Sequence, residues 1–88
     1  MNNANSLFIE FISTDNPKVF EELFRMTKPW VYKLIYRIVP SKDAADDIFQ
    51  ETWVQVLNSK DTYDCNKGIF NNYLYTIAKN KALKATKS

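Results

Sequence analysis

Histidine is absent from this 88-residue chain, and cysteine and glycine each occur once. Without histidine there is no imidazole base, no Ser-His or Cys-His nucleophile pair and no His-containing zinc site. The lone Cys65 cannot close an internal disulfide, which excludes a disulfide-stapled secreted domain and favours a reducing compartment. One glycine and three prolines supply too little turn chemistry for the hairpins of a sandwich or barrel. Long apolar runs are missing as well. The N-terminal stretch is broken by Glu10 and has no basic flank, so it reads neither as a signal peptide nor as a membrane span. These absences predict a cytoplasmic protein with no membrane insertion, no cofactor and no enzymatic activity.

What the chain does have is 45% hydrophobic and 15% aromatic residues, enough for one core in a single domain spanning 1–88. The expected fold is all-α, a compact bundle of about four helices. Leu7, Phe8, Phe11 and Ile12 mark one face of a short helix within 1–15 that stops at Ser13–Asn16. Asn16 then reads as an N-cap with Pro17 at the first helical position, where its missing N–H is not needed. Phe20, Leu23, Phe24, Thr27, Val31, Leu34, Ile35 and Ile38 keep helical phase across Pro29, which predicts a kink there and no end. Val39-Pro40 turns a corner, and Ser41 caps a third helix whose stripe is Ala45, Ile48, Phe49, Thr52, Trp53, Val56 and Leu57. Trp30 and Trp53 are expected to anchor the second helix on the third. Periodicity lapses from Asn58 to Gly68, a polar loop, and resumes in a fourth helix from near Ile69 that buries Phe70, Tyr73, Leu74, Ile77, Ala78 and Ala85. Lys81 falls in the middle of that last stripe. Either its stem lies along the core, or the end of the helix is uncovered in this domain; the second is expected, since those turns need a further element.

The net charge of +2 hides a segregation. Asp43, Asp46, Asp47, Glu51, Asp61 and Asp64 make the middle acidic, whereas four lysines and no acid follow Ile69. Two constellations result. Asp46, Asp47, Gln50 and Glu51 share one helical face, either a solvated face or, because Gln50 adds directional hydrogen bonds to charge, a docking edge for a basic helix. No further acid completes a metal site. The second set interleaves rings, amides and cations: Tyr63, Asn66, Lys67, Asn71, Asn72, Tyr73, Tyr75, Thr76, Lys79 and Asn80. Single-stranded nucleic acid calls for such a set, though core packing and a solubilising C-terminus would account for many of the same residues.

Five strings carry a family resemblance: FEELF at 20–24, YRIVPSKDAADDIFQETW at 36–53, YD at 63–64, GIF at 68–70 and YLYTIAKN at 73–80. In this order and spacing, over roughly residues 6 to 86, the chain resembles region 2 of bacterial sigma factors, nearest the extracytoplasmic-function class. The resemblance implies docking of Asp47, Gln50 and Glu51 on the β′ clamp helices of the RNA polymerase core. It also implies recognition and melting of the minus-ten promoter element, with capture of its non-template strand. The loop 59–68, with Tyr63, Asn66 and Lys67, and the helix residues Asn72, Tyr73, Thr76, Lys79, Asn80 and Lys84 would bind that DNA.

The class is commonly held by an anti-sigma factor, a further implied partner that no residue here marks. The family usually has Trp in place of Tyr73 and a basic residue in place of Thr76, so stacking and phosphate contact there are expected to be weaker. Intact members continue into a second, helix-turn-helix domain that is absent here, and an excised domain is the expectation. The competing reading is a helical docking module that keeps polymerase binding and has lost DNA recognition.

Overall fold

The computed structural model describes residues 3–59 and 69–87, and these form four α-helices. They are α1 (Ala4–Thr14), α2 (Pro17–Ile38), α3 (Lys42–Asn58) and α4 (Phe70–Ala85). No strand occurs among the described residues, in accord with the all-α expectation.

Local chemistry sets three of the helix starts. Asn3 accepts from the Ser6 N–H at 2.8 Å, Asn16 from Lys18 at 2.9 Å, and Ser41 from Ala44 at 3.4 Å. Each satisfies one of the N–H groups that a first helical turn leaves without a partner. Between α1 and α2 the chain reverses at Asp15, whose φ of 53° is left-handed, a conformation that aspartate tolerates better than most residues. α2 runs unbroken through Pro29, which lies on its exposed face. The stripe that stays in phase on both sides of the proline supplies the packing that keeps the helix whole.

α2 contacts each of the other three helices, and α4 packs on α1 and α3 as well. Their shared core contains Phe8, Leu23, Val31, Ile35, Val56, Phe70 and Leu74, all fully buried. An aromatic cluster joins α2 to α3: Trp53 meets Phe20 edge-on at 5.5 Å and lies 5.2 Å from Phe24, which in turn touches Phe49 at 5.4 Å. Trp53 is therefore the buried anchor, whereas Trp30 is only half-buried at the margin of the core. The two buried threonines return their hydroxyls to the preceding turn, Thr27 to the Leu23 carbonyl and Thr52 to that of Ile48. Both polar groups are thus satisfied without a tertiary partner.

Two expectations for α4 need correction. Ala85 is exposed, and Ala82, four residues after Ala78, takes the buried place. The end of the helix is also covered further than Lys81 suggested: Ala78 and Ala82 are fully buried on either side of it. Lys81 itself is half-buried against α3, so the aliphatic stem packs along the protein while the charge stays accessible. Leu57, expected in the core, is 38% exposed at the end of the α3 stripe.

Candidate nucleic-acid and partner interfaces

The acidic edge comes from the α3 face opposite Ile48, Thr52 and Val56. Burial of that stripe leaves Asp47, Gln50 and Glu51 exposed. Asp46 does not join them. It is half-buried and accepts a hydrogen bond from the Tyr32 hydroxyl of α2, so one carboxylate of the Asp46-Asp47 pair ties helices together and the other faces outward.

Asp47, Gln50 and Glu51 line an open groove of about 730 Å³ together with Val54, Gln55, Asn58, Ser59 and Lys81. Among the described residues the only ion pair is Arg25–Glu21 on α2, so neither Asp47 nor Glu51 is neutralised by one. Val54, 55% exposed, adds an apolar spot within the groove that sequence periodicity assigns to no stripe. Two free carboxylates, an amide and an apolar contact on one helical edge suit a basic amphipathic helix.

The second surface lies on α4. Asn72, Thr76, Asn80 and Lys84 follow one another at i, i+4 spacing and are all exposed, with Lys79 beside them. The Lys79 ammonium sits 5.8 Å from the ring centroid of Tyr75, itself 44% exposed. A ring with a cation over its face presents both a stacking platform and a phosphate contact. Tyr75 thus belongs with the candidate nucleic-acid residues, and the alternation of rings and amides along the helix was the signal for it.

Tyr73 is placed differently. Its ring is half-buried, 6.4 Å from Phe8 and 6.3 Å from Phe70, and its hydroxyl meets the Ser59 hydroxyl. The Ser59 hydroxyl donates to the Gln55 carbonyl at 2.7 Å, so the phenol donates to Ser59. The Thr76 hydroxyl donates to the Asn72 carbonyl of its own helix at 2.9 Å, on the exposed face. Tyr63, Asn66 and Lys67, with most of the 59–68 loop, lie outside the described residues.

Among the described residues no group of three or more His, Cys, Asp or Glu side chains is placed to hold a metal. No helix there is long and apolar enough to cross a membrane. The start of α4 is the feature that sequence reasoning missed. Ile69 stands at its N-cap position and has no side-chain oxygen, while Asn5 of α1 accepts the Phe70 N–H at 3.0 Å.

Residues 23–88, well over half the chain, match the family model for sigma-70 region 2. The chain is similar to the ECF RNA polymerase sigma factor SigW of Bacillus subtilis (strain 168), 29% identical over 72 residues that cover 82% of this chain. It spans only 38% of that relative's length. No solved structure matches the chain significantly. The four-helix fold, the family match over α3 and α4 and the similarity to an extracytoplasmic-function member lead to one assignment: the chain belongs to the sigma-70 region 2 family, as a region 2 domain of the extracytoplasmic-function class.

Proposed function

We propose that this domain serves transcription initiation by docking on RNA polymerase with α3 while holding melted promoter DNA with the 59–68 loop and α4. The supporting observation is the pair of chemically opposite faces on two helices packed against each other: Asp47, Gln50 and Glu51 on α3, and Lys79, Asn80 and Lys84 on α4. On the first face the β′ clamp helices are the partner, recognised by charge and by the amide of Gln50. On the second, the non-template strand of the minus-ten element lies along the cations, with bases against Tyr75 and the loop.

No nucleotide hydrolysis is needed for such capture. Each base stacked on a ring offsets about 1 to 3 kcal/mol of the cost of unpairing, and lysines add a salt-dependent phosphate contribution. The experiment is a fluorescence anisotropy titration of a labelled, randomised single-stranded DNA pool against the chain, alone and with a fragment carrying the clamp helices. Binding that strengthens with the fragment supports the reading; no DNA binding at low salt by a folded chain refutes it.

A second reading draws on the placement of Tyr73, whose ring is packed against Phe8 and Phe70 and whose hydroxyl is engaged. In that reading the domain docks on polymerase through α3 and leaves DNA untouched. It predicts clamp-helix binding that Asp47 and Glu51 substitutions abolish, and no effect of Lys79 or Asn80 substitutions on any readout.

A further inference from the structure

The first turn of α4 opens in the core, and this sets a problem that its own sequence does not solve. Phe70, the first helical residue, is fully buried, so its N–H is cut off from water and needs an acceptor. The residue at the capping position is Ile69, extended at φ −92° and ψ 154° as a cap should be, but without an oxygen to offer. The acceptor comes from 65 residues away, where Asn5 Oδ1 takes the Phe70 N–H at 3.0 Å. Beside it the Phe8 ring packs on Phe70 at 4.4 Å. Asn5 and Phe8 both belong to α1, which precedes the 23–88 span that matches the family model.

We infer that α1 is a working part of the DNA-binding surface: Asn5 is a positioning residue that caps α4 from outside and sets its first turn, which carries Asn72. The assignment rests on the proposed DNA reading of α4, but the capping itself does not. Asn5 is half-buried, and a residue whose only task was to fill space between α1 and α4 would be apolar. The hydrogen bond gives the amide its purpose.

The test compares the full chain with Asn5→Ala and with Asn5→Asp, which keeps an acceptor oxygen at the same reach. Hydrogen exchange of the 70–73 amides and anisotropy with the randomised single-stranded pool are read together, with clamp-helix affinity as the control. Loss of a capping bond should speed exchange in this turn about fivefold and weaken DNA binding by a similar factor. Clamp-helix affinity should stay unchanged, and Asn5→Asp should keep both exchange and DNA binding near wild type. Unchanged exchange at 70–73 in Asn5→Ala, equal losses in Asn5→Asp and Asn5→Ala, or an equal loss of clamp-helix binding would overturn the inference. If the wild-type chain binds no DNA, the DNA role assigned to α1 falls with the reading it rests on, and the exchange data alone decide the cap.

Discussion

Replacing Phe8 by alanine would remove the ring that joins α1 to the start of α4. Phe8 is completely buried, with the Phe70 ring 4.4 Å away and the Tyr73 ring at 6.4 Å. Truncation of a fully buried phenylalanine costs about 3 to 5 kcal/mol, the sum of lost transfer energy and the cavity left behind. A chain of this size has a total stability of about 4 to 13 kcal/mol, so the loss takes from about a quarter of it to all of it. At about 4 to 8 °C for each kcal/mol, the melting temperature should fall by about 12 °C or more. Circular dichroism at 222 nm during heating measures this, with urea midpoints at constant slope as the check that stability alone has changed. Phe8→Leu, which keeps most of the volume, should fall between. A loss below about 1 kcal/mol for the alanine variant would refute the packing of α1 on α4, since a surface position would behave in that way.

Further outcomes follow from the two faces. Asp47→Lys with Glu51→Lys should abolish binding of the clamp-helix fragment while shifting stability by less than about 0.5 kcal/mol, because both side chains are exposed. Lys79→Ala should weaken single-stranded DNA binding and reduce the slope of log affinity against log salt by about 0.7, the value for one phosphate contact on a single strand. Tyr32→Phe should cost about 1 kcal/mol by leaving the half-buried Asp46 carboxylate without its donor, and Asp46→Asn in that background should recover part of it, measured by urea denaturation.

Where the determinants are local, the sequence carries them. Asn16 with Pro17 and Ser41 with Asp43 announce their helices because a cap acts within one turn, and the α2 stripe survives Pro29 because its period is uninterrupted. The exposed positions of Asp47, Gln50, Glu51, Lys79 and Asn80 follow from the same periods. What escaped is tertiary. Asn5 meets Phe70 only after the bundle has assembled, and the sole trace in the sequence is a negative one, the apolar Ile69 where a capping oxygen belongs. Lys81 was misread for a similar reason. A helical wheel places it at the centre of the buried arc but cannot show that the facing stretch of α3 is an open groove with room for the stem. Asp46 and Asp47 are adjacent in sequence and chemically identical, and only the approach of Tyr32 assigns one inward and the other outward.

The two proposed surfaces of this small domain, one for polymerase and one for single-stranded DNA, can be read in a single experiment. The folded chain, bound to the clamp-helix fragment, is titrated into labelled randomised single-stranded DNA and into the same pool made duplex. The single strand should bind more tightly than the duplex, with affinity lost steeply as salt rises and weakened by Lys79→Ala. Equal affinity for both forms, or none for either at low salt, would contradict the proposal.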